Sequence, residues 1–281
     1  MRRPHLLAYL IVCCRRHWSN YLAEAVGIAF FLIMSSLATV AVQHPTSPLH
    51  TVLAGHGKLR LALIGAVVGL VIVAIVYSPW GKRSGAHVNP AVTLGFWTLG
   101  KIRTADALWY VLAQATGAVV AGQLLVLLLG PLFAHPTVNY ALTQPVPLPN
   151  GQRIAFVAEF LITFVMMGIL LLCLHSKLFK KLTGWILGIL LALYIVYETP
   201  YSGMSLNPAR SLGSAVAAHN YTGLWIYLVA PALGAWLATL LFRAAFRDAA
   251  FSSIMAGDSG ANSGDNTTTQ TEEEPPQHPV E

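Results

Sequence analysis

A twelve-residue frame occurs twice in this chain, and it constrains the fold more than any other feature. Ser84-Gly85-Ala86-His87-Val88-Asn89-Pro90-Ala91-Val92-Thr93-Leu94-Gly95 returns 118 residues later as Ser202-Gly203-Met204-Ser205-Leu206-Asn207-Pro208-Ala209-Arg210-Ser211-Leu212-Gly213. Serine, both glycines, asparagine, proline, alanine and leucine coincide, and Val88/Leu206 and Thr93/Ser211 are near-equivalents. A lone Asn-Pro-Ala is weak, because asparagine followed by proline is an ordinary way to start a helix. Two copies, each between long apolar runs, indicate a duplicated membrane protein and mark where its function sits.

Composition agrees. Of 281 residues 56% are hydrophobic and only 10% charged, where a soluble domain carries about a quarter. Apolar stretches long enough for a bilayer recur throughout, so the fold class is an all-α polytopic membrane protein. A β-barrel would show short alternating segments instead. All seventeen Lys and Arg lie at or before Arg247, whereas seven of the eleven acids follow it. The basic residues flank apolar spans, so the positive-inside rule accounts for them and a nucleic-acid partner is not implied. Membrane lipid is. Three cysteines form no disulfide framework: Cys13 and Cys14, beside Arg15 and Arg16, read as unmodified thiols, and Cys173 as a packing residue. No metal cluster, nucleophile–base pair or phosphate loop is visible, so neither a metal nor a cofactor is expected.

Length and hydropathy place spans at about 20–42, 60–79, 105–130, 154–175, 182–200 and 221–245. Residues 1–19 read as an interfacial amphipathic segment, 20–247 as the membrane domain, and 248–281, rich in Ser, Gly, Asn, Thr, Glu and Pro, as a disordered tail. Six spans put both termini on one side. Arg2, Arg3, Arg15, Arg16, Lys82, Arg83, Lys101, Arg103, Lys177, Lys180, Lys181, Arg243 and Arg247 share that side, only Lys58, Arg60 and Arg153 fall opposite, and Arg210 lies inside the second frame. That asymmetry places the termini in the cytoplasm and the protein in a plasma or inner membrane.

The duplication reaches beyond the frames. Ala23-Glu24 matches Ala158-Glu159, and Trp109 with Gly117-Ala118 matches Trp225 with Gly234-Ala235. Repeat one is about 20–130 and repeat two about 154–247. Each holds three spans, an odd number, so the halves insert in opposite senses, an inverted repeat. The segments 90–98 and 208–217 are too short to cross a bilayer. They read as two re-entrant half-helices that enter from opposite faces and meet near the midplane, where irregular backbone survives only inside protein or beside a water-filled cavity.

The frames carry chemistry. Asn89 and Asn207 cap the half-helices, and Pro90 and Pro208 occupy the first helical position. Each asparagine uses its carbonyl oxygen on its own helix, leaving its NH2 donors to face the cavity. Two positive dipole ends converge there, which suits a neutral hydrogen-bond acceptor and opposes a cation. Arg210 stands in the first turn, where a cation is disfavoured, and is read as a pore residue rather than one reaching outward to lipid headgroups. Glu24 and Glu159 are read as braces that accept loop N–H groups; a proton-carrying role would instead make a coupled transporter. His87 is read as a hydrogen-bonded loop residue, with a pH-sensing role as the alternative.

These residues carry a family resemblance. The two frames, with Ala23-Glu24 and Ala158-Glu159-Phe160, resemble the signature loops and repeat openings of the aquaporin, or major intrinsic protein, family, over roughly residues 18–245. The resemblance implies a six-helix bundle with two half-helices, a pore in each protomer lined by Asn89, Pro90, Ala91, Asn207, Pro208 and Ala209, and a homotetramer. Ser211 in place of the facilitators' aspartate, Gly213-Ser214-Ala215 and Tyr227 resemble the water branch, although Leu228 stands where water channels usually carry tryptophan. By gapless counting the family's filter falls on Gly69 (Val68 if the loop has one extra residue), Ile195, Met204 and Arg210. The aromatic and histidine of strict water channels are absent from it. The expectation is a passive water channel that also admits small neutral solutes such as glycerol, urea, ammonia or hydrogen peroxide. The alternatives are a solute facilitator, a proton-coupled transporter using Glu24 or Glu159, and a structural membrane protein with an occluded pore.

Overall fold

The computed structural model describes residues 6–246, so the acidic tail lies outside the described residues. Six long apolar helices account for the spans: α1 (Leu6–Gln43), α2 (Gly57–Tyr77), then, after the half-helix α3 (Pro90–Thr98), α4 (Thr104–Leu129), α5 (Gly151–His175) and α6 (Thr183–Tyr197), and, after the half-helix α7 (Pro208–Ala218), α8 (Leu224–Ala245). Among the described residues there is no strand. Leu70, Leu112, Leu127, Leu161, Ile189 and Leu241 are exposed along the outer faces. Lipid-facing helices need such a surface, since lipid tails are as apolar as leucine.

The N-terminal segment departs from expectation. It is no separate interfacial element; α1 runs unbroken for 38 residues. At 1.5 Å per residue that is roughly 57 Å, well beyond a hydrocarbon core of about 30 Å. Polar contacts hold the extra turns against α4. Asp106, fully buried, faces His17 Nδ1 at 2.8 Å and accepts from the Tyr21 hydroxyl at 2.6 Å. Trp109 Nε1 donates to Leu10 O at 3.1 Å.

The repeats interlock. The pair α1–α4 in the first half has its counterpart in α5–α8, and α2 packs on α6 across the halves. Each half-helix leans on the last span of the other half, α3 on α8 and α7 on α4. Glycines permit the crossings. Gly117 meets the Ala25 backbone and Gly234 the Phe160 backbone, in each case the residue after a repeat-opening glutamate. At the α2–α6 crossing the approach is reciprocal: a Cβ on Gly69 would come 2.5 Å from Gly188 O, and one on Gly188 2.6 Å from Gly69 O. Small residues let helix backbones pack closely where the hydrophobic effect offers no drive.

Candidate functional site

Both frames fold the same way. A short helical turn, Pro79–Ser84 or Thr199–Ser202, ends on a left-handed glycine, Gly85 (φ 93°) or Gly203 (φ 80°). Two further residues of each loop are then forced to positive φ: Ala86 (51°) and Val88 (43°), Met204 (52°) and Leu206 (60°). Such angles cost about 1–3 kcal/mol for each residue other than glycine. They persist because they turn successive N–H groups toward one buried carboxylate.

Glu24 is that carboxylate in the first half. Its Oε1 accepts from Ser84 Oγ (2.7 Å) and His87 N (3.0 Å), and its Oε2 from Val88 N (2.6 Å) and Gln114 Nε2 (2.7 Å). Glu159 repeats the arrangement, with Oε1 accepting from Ser202 Oγ (2.6 Å) and Ser205 N (2.7 Å), and Oε2 from Leu206 N (2.8 Å). Tyr110 and Tyr227 donate to Ser84 O and Ser202 O at 2.7 and 2.6 Å. Both glutamates are fully buried, and their oxygens accept from loop donors and, for Glu24, from Gln114 of α4 as well, as a brace requires and a mobile proton carrier does not.

The half-helices meet at their capped ends. Asn89 Oδ1 accepts from Ala91 N (2.8 Å), and Asn207 Oδ1 from Ala209 N (3.0 Å) and Arg210 N (3.3 Å). The amide nitrogens depart from expectation, because they are not both left to the cavity. Asn89 Nδ2 donates to Leu206 O at 2.8 Å, and Asn207 Nδ2 to Val88 O at 2.7 Å. One N–H of each amide therefore stitches the loops together, and the positive φ of Val88 and Leu206 presents the carbonyls for it. An amide nitrogen carries two hydrogens, so one per asparagine remains.

Two cavities adjoin this junction. The outer one, about 210 Å³, is lined by Ser35, Thr39, Val68, Ile195, Met204 and Arg210 among others. The inner one, about 90 Å³, is lined by Asn89, Asn207, Val92, Ile72, Leu170 and Leu191 among others. Phe31 and Ser205 belong to both walls. Pro90, Pro208, Ala91 and Ala209 form the first turns that aim the amides. Arg210 does not reach outward to headgroups; it lines the outer cavity, and its Nη1 donates to Ala141 O at 2.8 Å. That carbonyl comes from three consecutive residues at positive φ, Asn139, Tyr140 and Ala141.

One filter position needs correction. Gly69 is not on the cavity; it is buried in the α2–α6 crossing against Gly188 and borders a separate apolar groove on the side of the bundle, with Trp185 and Ile189. Val68 lines the cavity with Ile195, Met204 and Arg210. A helix turns about 100° per residue, so a one-residue count error moves a side chain from the cavity to the neighbouring helix. His87 lies under the first loop, stacked on Phe96 with centroids 4.7 Å apart, its Nδ1 3.1 Å from Thr93 Oγ1.

Sequence reasoning missed three participants. Gln114 donates to Glu24 and, at 3.1 Å, to Thr93 Oγ1; an amide side chain in the middle of an apolar span was the available signal. Thr143 Oγ1 lies 2.7 Å from Ser211 Oγ, which also meets Ser205 Oγ, and no pattern pointed to it. Glu198 is buried at the end of α6; an acid six residues from Met204 was legible and went unread.

Known proteins share this architecture. The family model described as major intrinsic protein matches residues 14–242. Aquaporin NIP1-2 of Arabidopsis thaliana is 35% identical over 227 residues, covering 76% of this chain and 69% of its own. Nodulin-26 of Glycine max is 34% identical over 215 residues, covering 76% and 72%. Among solved structures, the aquaglyceroporin from Plasmodium falciparum superposes with a TM-score of 0.61 at 23% identity, covering 80% of this chain and 95% of that one, a likeness of fold.

Proposed function

The chain belongs to the major intrinsic protein family, and from that premise we propose that it is a passive pore for water and small uncharged solutes that holds back protons and ions. A protein of this family is a membrane channel and not an enzyme.

The observation that carries the proposal is the stitched asparagine pair between two adjoining cavities, with Arg210 on the outer wall. A permeant first meets Arg210, then the remaining N–H of Asn89 and Asn207. A water molecule there accepts from both amides, which orients it and breaks a proton-conducting file. Two positive helix ends and the guanidinium oppose cations. Apart from the asparagines, His87 and Ser205, the named lining of the inner cavity is apolar, so a permeant finds few other hydrogen bonds and moves on.

A second reading, solute facilitation, is favoured by the outer wall. Val68, Ile195 and Met204 present alkyl and thioether surface opposite one arginine, with Thr39 and Thr199 nearby. Such a wall suits a molecule with both CH and OH faces. Stopped-flow light scattering on proteoliposomes separates the two. Fast osmotic shrinkage without fast glycerol re-swelling supports water as the permeant; fast re-swelling makes the protein a solute facilitator. Shrinkage no faster than empty vesicles would overturn the pore.

The exposed apolar belt supports an integral membrane position, and the spread of basic residues supports cytoplasmic termini; a plasma or inner membrane is our assignment. We assign a homotetramer on family grounds, testable by cross-linking in native membranes.

A further inference from the structure

Glu198 follows the last residue of span α6 and precedes the turn Thr199–Ser202. It is only 6% exposed, and among the described residues neither carboxyl oxygen has a hydrogen-bond partner. A buried ionised carboxylate without donors is among the costliest groups a protein can hold. Its surroundings supply little relief: Ser202 Oγ and Met204 N favour its charged form, but both of their hydrogens are already committed. Ser202 Oγ gives its single hydrogen to Glu159 and itself accepts from Met204 N. Ser205 N and Leu206 N are taken by Glu159. The groups electrostatically coupled to Glu198 are Glu159 from α5 and Tyr227 from α8; Arg210 from α7 acts on both of these. In the first repeat the corresponding position, four residues before the frame serine, is Trp80, which packs on Gly27. The acid is therefore peculiar to the second loop, the one bearing Met204 and Arg210.

Two carboxyl groups crowded against one serine hydroxyl lack one hydrogen. A neutral Glu198 supplies it, and removes the repulsion from Glu159. We propose that Glu198 is a proton-binding site that holds the second loop in its open arrangement, and that losing the proton under alkaline conditions draws the segment 198–204 into the outer cavity and lowers flux. The direction follows from the neighbours. An ionised Glu198 is repelled by Glu159, while Thr199 and Gly203 already line the cavity in which Arg210 presents its positive charge. Burial, and then the charge of Glu159, push the Glu198 carboxyl up to about 8, so the neutral acid dominates below that pH and is lost as pH rises through it.

The flux part of this inference rests on the channel reading; the proton-binding part does not, and the two are measured separately. Infrared difference spectra of the full chain in lipid, between about pH 6 and about pH 9, should show loss of a protonated carboxyl band that is missing in Glu198→Gln. Osmotic water permeability of the wild type should fall several-fold over the same interval, with a midpoint near 8, while Glu198→Gln stays at the wild-type acid level. Glu198→Met, neutral and of similar length but without a hydrogen to donate, should likewise show no fall with pH. A wild-type spectrum without that band, or a band that survives in both variants, overturns the proton site without touching the channel reading. A pH-independent wild-type flux, or variants that keep the fall, overturns its coupling to the pore. Absence of water flux at every pH would instead count against the channel reading itself.

Discussion

Replacing either brace by glutamine should destabilise the protein, and the two replacements should differ. Glutamine keeps one acceptor oxygen and turns the other into a donor. In Glu24→Gln, whichever way the amide lies, one of His87 N and Val88 N faces an NH2 group. A buried donor left unpaired costs about 1–3 kcal/mol. Gln114 softens the rest, because its Oε1 has no partner among the described residues and a flip of its amide offers that oxygen to the new NH2. The net cost should be about 2 kcal/mol. Glu159→Gln has no such relief: four residues after Tyr227, where Gln114 follows Tyr110, stands Pro231. It orphans Ser205 N or Leu206 N and also removes the negative charge that acts on Arg210. Adding about 2 kcal/mol for a charge left uncompensated gives about 4 kcal/mol. Heat-challenged protein in detergent, assayed by size exclusion, should survive in the order wild type, Glu24→Gln, Glu159→Gln. Equal survival of the variants, or the reverse order, would refute the accounting; two wild-type-like variants would refute the bracing role.

Further outcomes follow from the same geometry. Arg210→Val should raise proton or solute leak, read with a pH-sensitive dye and by re-swelling; an unchanged leak would remove Arg210 from the barrier. Val68→Ala should speed glycerol entry with little loss of folded protein, whereas Gly69→Val should sharply reduce folded protein, since its first side-chain carbon would meet Gly188 O at 2.5 Å; the opposite pattern would restore Gly69 to the filter. Tyr110→Phe and Tyr227→Phe each remove a buried hydroxyl bonded to a loop carbonyl, and each should cost about 1–2 kcal/mol in the same heat challenge. Unequal losses would show that the loops are held less symmetrically than their bonds suggest.

Much of this protein was determined by local chemistry that any reader of the chain can recover. Runs of some twenty apolar residues must be helices in a membrane, because no other open segment satisfies its own backbone there. Asparagine before proline must start a helix, and an odd number of spans per repeat must invert the second copy. Glu24 and Glu159 were legible as braces because their positions repeat. Only the tertiary structure decided what depends on rotation and crossing. Val68 rather than Gly69 reaches the cavity because neighbours in a helix point about 100° apart, and loop length sets that phase. The amides tie to Val88 O and Leu206 O, on the opposite loop, through left-handed backbone that no residue type announces. Arg210 finds Ala141 O, and Glu198 finds itself beside Glu159, only when segments far apart in the chain pack together. Periodicity and motif report what a residue does to its own helix. Partners across the bundle are set by how the helices meet.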